Sequence, residues 1–99
     1  MSHNRDDLSE EDEFALADLL PQYFALCRRD LEHIRKALKD ENLNDIRLIG
    51  HNLKGSGGAY GFPELTGIGL AIETAAKTGD RETLERQIEE FANFLRAHG

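Results

Sequence analysis

The stretch Asn42–Leu65, NLNDIRLIGHNLKGSGGAYGFPEL, decides the fold. It opens on Asn42, a residue suited to cap a helix, with Asp45 three positions on where a carboxylate complements the helix dipole. Leu43, Ile46, Ile49 and Leu53 then recur at three- and four-residue intervals, the mark of a helix with one apolar face. His51 falls about 140 to 160° from Ile46, Ile49 and Leu53 at 100° per residue, so it does not share their buried face. Lys54 and Gly55 lie one turn beyond it and Gly58 one further turn on the same side. Glycines at 55, 57, 58 and 61 cost a helix roughly 0.8 to 1 kcal/mol each relative to alanine. A cost of that size points to a backbone that something must approach closely. Gly61 and Pro63 mark a turn, Pro63 being suited to the first position of the next helix and Glu64 to its first turn.

Outward from this stretch, the pattern stays helical. On the N-terminal side Phe14, Ala17, Leu20, Phe24, Cys27, Leu31, Ile34 and Leu38 form an apolar stripe, which Pro21 interrupts by removing a backbone donor and crowding the preceding turn. A short helix over about 12–20 and a long one to about 41 are expected, preceded by a flexible acidic tail over residues 1–11. On the C-terminal side Leu65, Ile68, Ile72 and Ala76 give a third stripe, and the small residues Gly67, Gly69, Ala71, Ala75 and Ala76 permit close helix approach. Gly79 and Asp80 supply a stop and a fresh cap. Leu84, Ile88, Phe91 and Leu95 form the fourth stripe, to about residue 97. The expected fold is all-α: an antiparallel up-and-down four-helix bundle over 12–97 with a short extra N-terminal helix.

Composition narrows the function. At 99 residues the chain supports one domain, with 39% hydrophobic residues for a modest core. A net charge of -7 argues against nucleic acid, whose binding depends on neutralising phosphates with Lys and Arg. The single cysteine, Cys27, forms no intrachain disulfide and fits the buried stripe. No segment has the apolar length of a membrane span, and the polar N-terminus lacks the apolar region of a secretory signal, so no membrane association and a cytoplasmic location are expected. The histidines show no i, i+4 pairing and no Glu-x-x-His, so no metal site is expected. From these residues alone His51 is either an idle surface histidine or a functional one, and Lys54 either a solvated lysine or a charge placed for use.

His51, Leu53, Lys54, Gly55, Ser56 and Gly61 fit the pattern H-x-L-K-G-S followed by a turn glycine, and in this the chain resembles histidine-containing phosphotransfer (HPt) domains. The resemblance extends through the long preceding helix, the GFPEL entry to the third helix and the AAKTGD break before the last. Gly57, Gly58 and Tyr60 depart from it, standing where small or apolar residues are usual, and Gly57 with Gly58 loosens the end of this helix. The resemblance implies a histidine phosphotransfer protein in which Nε2 of His51 accepts a phosphoryl group from a receiver-domain aspartate and passes it to another receiver domain. Response-regulator receiver domains and a hybrid histidine kinase are the implied partners, with Mg²⁺ held by the receiver and no cofactor in this chain. Glu73 stands where such domains often carry Glu or Gln and would hold Nδ1, fixing the tautomer.

Chemistry agrees with that implication. Imidazole offers a lone pair near neutral pH, as an attacking nucleophile must. Lys54 can balance phosphoryl charge as a flexible point charge, and Gly55 and Gly58 leave clearance above His51. Ser56 is expected to pack or to bond nearby backbone. Leu48 and Leu70 fall outside the buried stripes and are expected to form an apolar docking rim. The chain has no glycine-rich nucleotide loop after a strand, so it is expected to be a phosphocarrier and not an ATP-dependent kinase, acting as a monomer. A competing reading is a helical module that docks a receiver or kinase without carrying phosphate.

Overall fold

Local signals set the ends of each helix in the computed structural model, which describes residues 3–98 and the side chains of 19–98. Four helices follow in order, α1 His3–Lys39, α2 Leu43–Ala59, α3 Pro63–Thr78 and α4 Arg81–His98, with no strand among the described residues. Asn42 caps α2, its side-chain oxygen accepting from the Asp45 N–H at 3.2 Å. Asp80 does the same for α4, accepting from the Thr83 N–H at 3.1 Å and the Thr83 hydroxyl at 2.6 Å. Those bonds hold the Asp80 carboxyl below its ordinary range. Gly61 and Gly79 end α2 and α3 with φ of 84° and 72°, the left-handed conformation that glycine adopts without penalty. The Phe62 N–H then reaches back to the Gly57 carbonyl at 2.7 Å, and the Asp80 N–H to that of Ala75 at 2.9 Å.

Each helix packs against its neighbours in a ring, α1 on α2, α2 on α3, α3 on α4 and α4 on α1, around a core whose fully enclosed members include Ile34, Ile46, Leu53, Leu65, Ile72, Leu84 and Phe91. Every helix contributes through the apolar stripe its spacing announces. Burying a side chain of this size is worth roughly 1.5 to 3 kcal/mol, so these stripes fix which face of each helix turns inward.

Three expectations are corrected in α1. The break at Pro21 is absent: α1 is one helix, and no separate short N-terminal helix precedes it. Pro21 is exposed on the helix surface, where water can serve the carbonyl that loses its usual donor, and the loss of one bond does not end a helix of this length. Residues 3–11, expected as a tail, are part of the same helix, while Met1 and Ser2 lie outside the described residues. The stripe is also rotated slightly. Tyr23 is buried and Phe24 half-buried, because the Tyr23 ring stacks on Tyr60 with centroids 4.0 Å apart and its hydroxyl lies 2.8 Å from Ser56 Oγ. Cys27 is enclosed beneath it, and burial pushes its thiol up to about 11.

Candidate functional site

The closest seam in the molecule runs between α2 and α3, and glycine makes it. A Cβ on Gly69 would stand 2.7 Å from the Gly50 carbonyl oxygen and 2.8 Å from Lys54 Cα, and one on Gly50 would stand 2.8 Å from the Glu73 backbone nitrogen. Gly57 repeats the contact one turn along, where a Cβ would lie 2.7 Å from Leu65 Cβ. Real side chains do not approach this closely, so the two backbones touch where no side chain intervenes. Thr66 adds a polar tie, its hydroxyl donating to the Lys54 carbonyl at 3.1 Å.

This approach brings His51 and Lys54 of α2 against Glu73 of α3. Glu73 Oε2 lies 2.9 Å from His51 Nδ1, and Lys54 Nζ donates to Oε1 of the same carboxylate at 2.8 Å. The carboxylate is the covered member of the three: its side chain is 13% exposed, against 58% for His51 and 32% for Lys54. Lys54 holds the Glu73 carboxyl below its ordinary range, with His51 adding to the effect and desolvation opposing it. Glu73 is therefore an ionised acceptor near neutral pH. An ionised carboxylate accepts and does not donate, so Nδ1 of a neutral His51 carries the proton and Nε2 the lone pair. Nε2 has no hydrogen-bond partner among the described residues and stands on the exposed side of the seam.

Around the imidazole the surface is low and apolar. Gly55 is exposed, with nothing within 4 Å of where its Cβ would be, and Gly58 is exposed with only Thr66 Oγ1 at 3.4 Å. Leu48 on α2 and Leu70 on α3 are exposed by 45% and 49%. Ser56 faces α1, sharing its hydroxyl with Tyr23 and the Leu53 carbonyl. Residues 18–98 match the family model of the Hpt domain. The chain belongs to the Hpt domain family. No curated protein and no solved structure gives a significant match to it.

Hpt domains are histidine phosphotransfer modules of phosphorelays, phosphocarriers without a kinase domain that interact with receiver domains and kinases. Among the described residues of this Hpt domain no helix is long and apolar enough to cross a membrane. The structure gathers His51, Lys54 and Glu73 into one hydrogen-bonded group and sets Leu48, Gly55, Gly58 and Leu70 on the surface about it. Sequence reasoning passed over Gly50 and Thr66. Gly50 and Gly57 sit seven residues apart on the stripe that flanks Lys54, a spacing that marks one helix face and sets them apart from Gly55 and Gly58.

Proposed function

We propose that His51 is the phosphoryl-accepting residue of this Hpt domain, taking the group from a receiver-domain aspartyl phosphate and returning it to another receiver domain. One observation carries the reading: an exposed imidazole whose Nδ1 is held by an ionised carboxylate, so that Nε2 presents its lone pair to solvent. In the transfer the Nε2 lone pair attacks phosphorus in line, and the bond from phosphorus to the aspartyl oxygen breaks with its electrons passing to the leaving carboxylate. The Nδ1 proton stays in place against Glu73, which offsets the positive charge that the ring gains as the N–P bond forms. The partner receiver supplies the aspartate and the Mg²⁺ at the phosphoryl oxygens. Lys54, one turn from His51, stands near enough to pair with the phosphoryl group by swinging from Glu73, as its single flexible ammonium allows.

Approach to Nε2 needs a low surface, and the bare backbone at Gly55 and Gly58 provides it, with Leu48 and Leu70 as apolar contacts for the incoming domain. Incubation with a phosphorylated receiver domain tests the assignment. The expected product is acid-labile, base-stable phosphate on the wild-type chain and none on His51→Gln. The His51 ring is exposed, so the substitution should change stability by no more than about 0.5 kcal/mol and leave the helical circular dichroism unaltered. Undiminished labelling of His51→Gln would exclude it as the acceptor.

A further inference from the structure

The half of α2 that follows His51 carries the low surface a receiver must meet, and it is poorly built to hold its own shape. Three of the four residues from Gly55 to Gly58 are glycine, and Gly61 ends the segment at φ 84°. Glycine gains more conformational freedom on leaving a helix than any other residue, so this end frays unless its neighbours hold it. On the α3 side backbone holds it: Gly57 lies directly against Leu65, and the Phe62 N–H donates to the Gly57 carbonyl at 2.7 Å. On the α1 side the work falls to Tyr23.

Tyr23 is 5% exposed, and its ring lies nearly parallel to that of Tyr60, 9° between planes and 4.0 Å between centroids. Its hydroxyl stands 2.8 Å from Ser56 Oγ, which in turn donates to the Leu53 carbonyl at 3.4 Å. Ser56 has one hydroxyl proton, and with that proton on Leu53 its oxygen is left to accept, so Tyr23 is the donor. Among the described residues this is the one side-chain hydrogen bond from α1 to α2. The two contacts are interleaved with the glycines: Ser56 stands between Gly55 and Gly57, and Tyr60 between Gly58 and Gly61. At 100° per residue Ser56 and Tyr60 fall about 140° and 180° around the axis from His51. Tyr23 thus grips this end of α2 from behind and leaves the side facing a receiver bare.

We propose that Tyr23 is a positioning residue for phosphoryl transfer: by donating to Ser56 and stacking on Tyr60 it keeps the glycine-rich end of α2 helical, so that the surface at Gly55 and Gly58 is already formed when a receiver arrives. The proposal rests on the reading of His51 as the acceptor. Without the clasp, residues 55–61 sample other conformations, and the receiver has to order them as it binds, which weakens its affinity. The hydrogen bond that orients the imidazole runs to Glu73 on α3 and not through Tyr23. Loss of the clasp therefore shows in docking and leaves the phosphoryl step itself unchanged.

The test is the rate of transfer from a phosphorylated receiver domain, measured over a range of receiver concentrations, together with amide hydrogen exchange followed by NMR. Tyr23→Phe removes only the hydroxyl, and Tyr60→Leu removes the stack at a half-buried position, so both variants should stay folded. Each should raise the half-saturating receiver concentration about threefold or more, with the maximal rate within about twofold of wild type. Tyr60→Phe, which keeps the stack, should behave as wild type. In Tyr60→Leu the amides of Tyr60, Gly61 and Phe62 should exchange about tenfold faster or more, while those of α4 keep their wild-type rates. An unchanged half-saturating concentration, a fall confined to the maximal rate, or exchange that quickens equally in α4 overturns the role of Tyr23. A wild-type chain that accepts no phosphate at all overturns the reading of His51, and this role with it.

Discussion

Adding one methyl group at Gly69 and one at Gly55 should have opposite consequences, although both residues are glycines in helices. At Gly69 the new carbon would lie 2.7 Å from the Gly50 carbonyl oxygen and 2.8 Å from Lys54 Cα, where ordinary contact begins near 3.4 Å. The Lys54 backbone nitrogen stands closer still, so the shortfall is about 1 Å, and the atoms in the way are backbone, which no rotamer change removes. Overpacking costs about 1 to 3 kcal/mol, and a clash with rigid backbone falls in the upper half of that range, about 2 to 3 kcal/mol, offset by the gain of up to about 1 kcal/mol from replacing helical glycine. At Gly55 nothing lies within 4 Å, so only the gain remains. Gly69→Ala should therefore be destabilised by about 1 to 2 kcal/mol, which for a domain of this size lowers the melting temperature by about 4 to 16 °C, while Gly55→Ala melts at or above wild type. Urea unfolding and thermal melts monitored by circular dichroism read both values. Equal stability of Gly69→Ala and wild type would refute the close α2–α3 contact, and a destabilised Gly55→Ala would refute the open surface beside His51.

Further outcomes separate the surface glycines from the carboxylate. Gly55→Gln or Gly58→Gln should block phosphoryl transfer while leaving stability unchanged or slightly raised, because the longer side chain enters space that an incoming domain needs; loss of stability and transfer together would assign these glycines to packing. Glu73→Gln keeps a hydrogen-bonding group at Nδ1 but removes the ionised acceptor, so ring nitrogen NMR shifts should show a mixture of tautomers and transfer should slow several-fold without ceasing. Identical tautomer populations in the two proteins would remove Glu73 from the site. The same carboxylate predicts a pH dependence of stability. Its folded pKa is depressed below the ordinary 4.5, so its contribution is complete above that value and is lost as pH falls through the folded pKa. Acid titration of unfolding free energy should therefore fall more steeply for wild type than for Glu73→Gln.

Where a structural feature depends on neighbours in sequence, the chain was readable. The caps at Asn42 and Asp80, the proline opening α3 and the left-handed glycines at 61 and 79 each act within a few residues, and each stands where its local signal places it. Pro21 misled because a proline's local cost says nothing of the helix propagating on either side of it. Tyr23 was passed over because the choice between it and Phe24 rests on Tyr60 and Ser56, more than thirty positions away, which no periodicity contains. The exposed side of His51 followed from helical arithmetic. Its hydrogen bond to Glu73 spans 22 positions and was placed only through the family resemblance, and the second bond, from Lys54 to the same carboxylate, was not foreseen. Both depend on how near α3 lies to α2, a tertiary quantity.

That nearness connects the glycines that do not touch His51 to those that flank it. Glu73 reaches Lys54 at 2.8 Å and His51 at 2.9 Å from a different helix, and a hydrogen bond weakens steeply beyond about 3.2 Å. A displacement of α3 by the 1 Å or so that a methyl at Gly69 demands would carry both bonds past that limit unless the side chains followed. Freed from the carboxylate, the imidazole would lose its preference between tautomers, and half or more of its neutral population could carry the proton on the nitrogen that must attack. The glycines of this segment thus act on two faces of one helix. Gly50 and Gly57, with Gly69 opposite, set the depth at which α3 holds its carboxylate. Gly55 and Gly58 keep clear the side from which phosphorus must come. A helix with alanine at all these positions would be more stable in isolation by several times about 1 kcal/mol, yet it would neither orient its histidine nor expose it. The propensity lost across this stretch is the energetic signature of the site.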